Sequence, residues 1–311
     1  MIDKFFYSIN YQWYEESLCN MEMKYLFNID LDKKYFFSNN EISPSRSPFI
    51  KHRISVIYSG KTLEDILSSI KSNNLAYEDF KVIYVKSDNG DVEYKERLEA
   101  VNKIGFIVTG FPSIHNPKVV LAVSKVDDTW IFGEFEKNDC KWQEHDKKPH
   151  SYSNALSLKM ARAIVNIAVG NDLNLKVVDP CCGIGTVVHE GLDIGVNIVG
   201  YELSKAIASN ARNNIEFFGY DRDIITSGNM HDIKEFFDVA IVDIPYGLFS
   251  PVTFEEQVEI IKTSAKIAKK VVLITFENMD EVLTLAGLKV IDKSSISKNR
   301  FTRFIEICEH I

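Results

Sequence analysis

The sequence predicts an α/β protein, with a doubly wound, largely parallel sheet in the C-terminal half and an α+β arrangement before it. Three observations predict this. From about Ser151 onward, short apolar strands alternate with helical patterns, as in a parallel sheet covered on both faces. Two successive strands in that half end on acids, Asp179 and Glu202, about 20 residues apart, the placement found at the ligand-binding edge of such sheets. Upstream, strand-like runs follow one another with a single clear helical stretch among them.

The 311-residue length favours two domains. A hydrophobic fraction of 45% and a charged fraction of 26% exclude a disordered or fibrous chain. No apolar run reaches the length of a membrane span, and Met1 to Asn10 has no basic flank leading into an apolar stretch. A cytoplasmic location is therefore expected. The five cysteines, Cys19, Cys140, Cys181, Cys182 and Cys308, form no C-x-x-C pair, so neither a disulfide framework nor a metal site is expected. The net charge of -8 runs against nucleic-acid binding in general but allows a local basic face.

In the first half, Arg53 to Tyr58, Phe80 to Val85, Phe106 to Thr109 and Val119 to Val123 read as strands. Leu63 to Ile70 has helical spacing, and Asp88-Asn-Gly90 reads as a turn. The polar stretch Lys137 to Tyr152, with Lys147, Lys148 and Pro149 inside it, reads as the linker. Beyond it, Lys176 to Asp179, Asn197 to Tyr201, Ile224 to Thr226, Val239 to Val242 and Val271 to Thr275 are the expected strands. Ser153 to Ala168, Gly185 to Ile194, Ser204 to Phe218, Phe254 to Ala268 and Asn278 to Ala286 are the helices between them. Strands near Lys289 to Asp292 and Phe304 to Cys308 are expected to add an antiparallel edge.

Val177-Val-Asp-Pro-Cys-Cys-Gly-Ile-Gly-Thr186 carries a buried strand through glycines into a helix. Gly183 and Gly185 are suited to a tight turn against which a ligand can lie. The dinucleotide pattern G-x-G-x-x-G fails at Val188, and no phosphate-cradling lysine follows. An acid before the loop also suits a cationic ligand better than a pyrophosphate. Glu202 is placed to accept from ribose hydroxyls. In Ser227-Gly-Asn-Met230, Asn229 offers an amide to a purine ring and Met230 a surface for its face; a Gly/Asn turn reads equally well. The fourth strand ends in Val242-Asp-Ile-Pro-Tyr-Gly247, an acid, a proline and an aromatic ring at the substrate edge.

Asp243-Ile-Pro-Tyr246 resembles the D-P-P-Y motif of amino-group methyltransferases. Asp179-Pro-Cys-Cys-Gly-Ile-Gly-Thr186 and Lys148-Pro-His-Ser-Tyr-Ser-Asn-Ala-Leu-Ser-Leu-Lys-Met-Ala-Arg-Ala-Ile-Val-Asn166 resemble segments of the THUMP-domain tRNA guanine-N2 methyltransferase family. In the N-terminal half, Phe80 to Tyr84, Ile104-Gly105 and Asn116-Pro117 look like THUMP fragments. The resemblance implies a ferredoxin-like lead-in over 1–60, a THUMP-like RNA-binding domain over 61–146 and a Rossmann-like, seven-stranded class I methyltransferase domain over 147–311. It implies S-adenosyl-L-methionine as cofactor and tRNA as partner, with no metal and no membrane. The implied cofactor site is Asp179, Cys181, Gly183, Gly185, Thr186, Glu202, Leu203, Asn229 and Met230. The implied catalytic set is Asp243, which accepts from the target amine, Pro245, which shapes the loop carrying the main-chain acceptor, and Tyr246, which stacks on the base.

Two residues depart from the family pattern: Ile244 stands at the first proline of the motif, which would loosen the loop, and Asn229 stands where an acid is common. Methylation of another RNA or of adenine N6, a catalytically degenerate RNA-binding relative and a nicotinamide oxidoreductase are the alternatives. The incomplete glycine fingerprint counts against the last.

Overall fold

The computed structural model describes residues 4–87, 92–113, 115–152, 155–245, 252–298 and 301–311. The chain forms two compact units. One comprises the residues up to Asn10 together with Leu31–Asp139; the other comprises Tyr11–Asp30 and Cys140–Ile311. The expected turn at Asp88-Asn-Gly90 lies outside the described residues.

Along the chain, β1 (Phe5–Ile9) is followed by α1 (Glu16–Phe27), β2 (Tyr35–Ser38), β3 (Ile50–Gly60), α2 (Leu63–Ser72), β4 (Ala76–Tyr84), α3 (Tyr94–Ile107), β5 (Thr109–Pro112), β6 (Val119–Val126) and β7 (Thr129–Lys137). The strands of the first unit form one sheet in the order β2-β1-β3-β7-β6-β4-β5. Alternation along them feeds two cores. Ile66 and Ile70 of α2 and Ala100 and Ile104 of α3 pack with Phe80, Leu121 and Phe132, while Phe6, Ile54 and Ile131 belong to a separate cluster. A capping box starts α2: Thr62 Oγ1 accepts from Asp65 N at 3.3 Å, and Asp65 Oδ2 accepts from Thr62 N at 2.8 Å.

Two expectations are corrected here. The cut between 60 and 61 would split a continuous sheet, because Gly60 at the end of β3 pairs with Trp130 of β7. Phe106 to Thr109 is not one strand but the end of α3 and the start of β5. Ala100 and Ile104 are buried at four-residue spacing while Phe106 is 89% exposed, so the helical period continues through a stretch that looks β-like when read locally.

The second unit continues with α4 (Leu158–Val169), β8 (Lys176–Asp179), α5 (Thr186–Asp193), β9 (Asn197–Glu202), α6 (Lys205–Phe217), β10 (Ile225–Ser227), β11 (Phe237–Asp243), α7 (Phe254–Ile267), β12 (Ala268–Thr275), α8 (Asp280–Leu285), β13 (Leu288–Lys298) and β14 (Phe301–His310). Its sheet order is β10-β9-β8-β11-β12-β14-β13, with β14 antiparallel to both neighbours and the pairs from β10 to β12 parallel. This is the seven-stranded mixed sheet expected for the C-terminal half. Strand order reverses between β8 and β11, and ligands of open α/β sheets bind at the carboxyl ends beside such a switch point. Ala240, Val242 and Ile244 share a core with Ile260, Ile261 and Ala265 of α7. Val239 and Ile241, also buried, alternate to the opposite face.

The expected boundary at 146/147 moves to 139/140, and α1 joins the C-terminal unit although it precedes most of the other. Leu18, Met23 and Leu26 are buried on α1, and its fully buried Glu22 accepts from Asn166 Nδ2 of α4 at 2.7 Å. Lys159 Nζ of α4 reaches Glu15 Oε2 at 2.6 Å, and Lys24 Nζ reaches Asp292 Oδ2 of β13 at 2.9 Å. Among the described residues, no helix is long and apolar enough to cross a membrane.

Candidate functional site

At the carboxyl ends of β8, β9, β10 and β11 lies a cavity of about 730 Å³, within the range of sites that enclose a nucleoside-sized ligand. Its walls include Asp179, Cys181, Gly183, Thr186, Glu202, Leu203, Asn229, Met230, Asp243 and Pro245. Ten of the twelve sequence-nominated residues thus come to one place. Gly185 lies outside this wall, and Tyr246 lies outside the described residues.

The loop after β8 is held by main-chain bonds: Cys182 N donates to Tyr201 O of β9 at 2.9 Å and Gly185 N to Cys182 O at 2.8 Å. Gly183 and Gly185 have φ of +54° and +81°, values that side chains rarely adopt. A Cβ on Gly183 would meet nothing within 4 Å, so that glycine borders open space. Gly185 instead faces Ala211 and Ile215 of α6 at 3.6 and 3.8 Å, and its part is to seat the start of α5 against α6.

Glu202 joins this loop to the next unit of the sheet. Its Oε2 accepts from Gly183 N at 3.0 Å and its Oε1 from Ser204 N at 2.7 Å. A carboxylate has about four lone-pair sites, so both oxygens keep acceptor capacity for a ligand. Asn229 Oδ1 accepts from His231 N at 3.0 Å, closing a short 3-10 turn. The turn reading of Asn229 is therefore realised, and its amide NH2 and the second lone pair of Oδ1 are what it has left to offer a purine. Met230 is 5% exposed, with its Sδ 3.6 Å from Cys181 Sγ.

Six carboxylates line the cavity, Asp179, Glu202 and Asp243 at the strand ends and Glu255, Glu256 and Glu259 on the first turns of α7. Asp179 is buried, with Oδ1 accepting from Cys181 N at 3.2 Å. Burial pushes its carboxyl well above the usual range despite that bond, and the charges of Asp243 and Glu202 push the same way. Burial pushes Asp243 up to about 7, with the charge of Arg303 pulling in the opposite direction. Such a wall repels phosphate and attracts a cation. Asp243 Oδ1 and Thr186 Oγ1 are buried and have no hydrogen-bond partner among the described residues; polar atoms left in this state in a cavity are satisfied by a bound ligand or water.

Around Asp243 the backbone is well anchored. Ile244 N donates to Ile274 O at 3.0 Å, continuing the ladder with β12, and the Ile244 side chain is 2% exposed. A proline at this position could not make that bond, so the departure from the family motif adds an anchor where loosening was expected. Gln257 Nε2 of α7 donates to Pro245 O at 3.2 Å and holds the next peptide.

Sequence reasoning missed Gln257, and also Asn214. Asn214, buried on the apolar face of α6, accepts from His150 N at 2.9 Å and donates to His150 O at 3.0 Å and Ile184 O at 3.1 Å. It ties the segment leading to Tyr152, another wall residue, to the glycine loop. An asparagine in helical register with Ala208 and Ala211 was the available signal.

Away from the cavity, His145, His189 and Glu190 bring potential metal-ligand atoms within 4.8 Å of one another. Their chemistry is that of an ion-pair network. His145 Nδ1 lies 2.6 Å from Glu190 Oε1, and Arg162 Nη1 donates to Glu190 Oε2 at 2.8 Å and to Asp193 Oδ2 at 2.7 Å.

No protein-family model matches the chain. In sequence it is similar to the tRNA (guanine(10)-N2)-dimethyltransferase of Methanothermobacter thermautotrophicus, with 22% identity over 249 residues, covering 77% of this chain and 71% of that protein. The protein of the same name from Pyrococcus abyssi is 25% identical over 143 residues, 43% of each chain. Among solved structures, TrmN from Thermus thermophilus superposes over 99% of both chains with a TM-score of 0.48 and 14% identity.

Proposed function

We propose that this chain, a relative of the tRNA guanine-N2 methyltransferases, transfers a methyl group from S-adenosyl-L-methionine to the exocyclic N2 amine of a guanosine in tRNA. The observation that carries this reading is that Asp243, with its buried, unsatisfied oxygen, opens into the same cavity as the Gly183–Glu202 loop. A cofactor in that loop and an amine on Asp243 would then meet. The wall fits the cofactor: Glu202 has acceptor capacity for ribose hydroxyls, Met230 offers an apolar face to a purine, and Asp179 with its neighbouring carboxylates favours a cationic amino-acid end.

The cofactor supplies an electrophilic methyl on a positively charged sulfur. The protein's task is to present a nitrogen lone pair in line with it. Asp243 accepts from the amine, turning the lone pair toward the methyl, while the main chain at Ile244-Pro245, held by Ile274 and Gln257, fixes the second side of the target. The bound cofactor would give up its methyl and keep the S–C pair on sulfur, and Asp243 is placed to take the proton that the amine would shed. The test is nucleoside mass spectrometry of tRNA incubated with enzyme and cofactor. N2-methylguanosine, mono- or dimethylated, is expected; N6-methyladenosine or an unmodified tRNA would overturn the reading.

Glu202→Ala is expected to weaken S-adenosyl-L-methionine binding by about 1–3 kcal/mol, since it removes an acceptor and leaves Gly183 N without its brace. Titration calorimetry reads this directly, and an unchanged Kd would remove Glu202 from the cofactor site.

We further infer that the unit containing β1–β7 holds the tRNA by backbone and shape. This rests on the THUMP-like fragments at Phe80 to Tyr84, Ile104-Gly105 and Asn116-Pro117. Phosphate contacts release counterions, so the affinity of the whole chain for tRNA should fall steeply and log-linearly with salt. Affinity that does not respond to salt would contradict this. A truncation test must retain residues 11–30, because α1 belongs to the other unit.

A further inference from the structure

We propose that Arg303 is the guanine-selecting residue, its guanidinium donating to O6 of the target base while Asp243 accepts from N1–H and the N2 amine. The proposal rests on the methyltransferase reading above and extends it to a residue on the last strand.

The register brings the two side chains to one edge. Asp243 ends β11 opposite Ile274 of β12, and Thr275 of β12 lies opposite Phe304 of β14. Because β14 runs antiparallel, Arg303 lies one residue beyond that pair, at the same carboxyl edge as Asp243. Two interstrand spacings, about 10 Å, separate their strands, a gap that the long arginine side chain can span to meet the same base edge as Asp243. The guanidinium carbon lies 5.0 Å from the centroid of the Phe276 ring, directly after β12, a cation–π contact that restrains the side chain. The Arg303 charge acts on Asp243 through space.

The chemistry of the pair selects the base. Along its pairing edge guanine presents an acceptor at O6 and donors at N1 and N2; adenine presents a donor at N6 and an acceptor at N1. Arginine only donates and an ionised aspartate only accepts. The pair therefore complements guanine at every position and opposes adenine at both. A lone Asp243 would read only the donor half of that edge.

The test compares tRNA transcripts carrying guanosine or 6-thioguanosine at the position the wild-type enzyme methylates. The sulfur analogue keeps N1–H and N2 but weakens the acceptor at position 6. Wild-type kcat/KM should fall roughly 5- to 150-fold on the analogue, the range of one good base contact. Arg303→Met should lose a similar factor on guanosine and no longer distinguish the two substrates, and Arg303→Lys should recover part of the discrimination. Removing a cation that favours ionised Asp243 should also move the pH–rate midpoint of Arg303→Met upward, which a purely structural role would not do. S-adenosyl-L-methionine affinity, unchanged in both variants, reports intact folding. If Arg303→Met keeps wild-type discrimination or its pH midpoint stays put, the assignment of Arg303 is wrong while the methyltransferase reading stands. If the wild-type protein forms no N2-methylguanosine on any transcript, both readings fall.

Discussion

Asp243→Ala is expected to lower the turnover of methyl transfer roughly 10²–10⁴-fold, the usual contribution of a positioned proton acceptor, while leaving cofactor affinity close to wild type. The residue ends β11 on the substrate side of the cavity, with Oδ1 buried and unsatisfied among the described residues. It is therefore well placed for a group that arrives with the substrate, and its loss should appear in kcat. The pH dependence follows from its environment. Burial holds the carboxyl up at about 7, and an acid that is already protonated cannot take the amine's proton, so wild-type turnover should fall as pH drops through that region. A sulfonium bound nearby would favour the ionised form and move the midpoint lower.

A control separates lost chemistry from lost folding. The folded pKa of Asp243 is raised above its unfolded value of about 3.9. The stability it contributes is present below that value and is lost as pH rises through about 7. Asp243→Asn does not titrate, so its stability relative to wild type should improve between about pH 4 and 7. An inactive variant that is more stable at pH 8 than wild type would establish a site strained for function; near-normal turnover in Asp243→Ala would remove Asp243 from the chemistry.

The parts of this molecule that sequence revealed are those written in local periodicity. Strands β11 and β12 each bury five apolar residues in a short run, and helices α4 and α6 begin at Ser157 and Ser204, both of which cap the next turn. Asp179, Glu202 and Asp243 were legible because each ends a strand of one parallel sheet, and the topology carries all three to one edge.

What escaped depended on distant partners. Nothing in the 16–27 segment says that Glu22 will meet Asn166, and so the attachment of α1 to the C-terminal unit had no local signal. The single sheet of the N-terminal unit rests on the pairing of β3 with β7, seventy or more residues apart in sequence, as Gly60 with Trp130 and His52 with Lys137 show. Gln257, Asn214 and Arg303 are isolated polar residues whose spacing matches no pattern; only the fold brings them to Pro245, to the glycine loop and to the edge beside Asp243.

Glu190→Gln is expected to destabilise the C-terminal unit by about 3–5 kcal/mol, the usual cost of removing one partner from a buried ionic cluster. Glu190 is fully buried and takes Arg162 on one oxygen and His145 on the other, and Asp193 completes the balance by accepting from the same Arg162 nitrogen. Two cations thus face two anions; neutralising Glu190 leaves one cation without compensation where water cannot reach. The cluster joins the first turn of this unit after Cys140 to α4 and α5, so its loss should loosen the entry segment as well as the core. The pH dependence has a definite sign on each side. Burial opposes protonation of His145, but its bonds to Asp193 and Glu190 outweigh this and raise it to about 9. Its contribution is therefore present below the unfolded value of about 6.5 and is lost as pH rises through about 9. His189, beside it at 4.1 Å between ring centroids, is pushed down to about 3 by burial and by the charge on His145. The unfolded chain binds that proton first, so stability falls as pH drops below about 6.5. Together the two histidines place the maximum from this cluster near neutral pH. Urea unfolding of the whole chain, followed through the transition of the C-terminal unit at several pH values, reads both limbs. A Glu190→Gln protein as stable as wild type, or wild-type stability that climbs steadily from pH 6.5 to 9, would show that the cluster does not hold the unit together in this way.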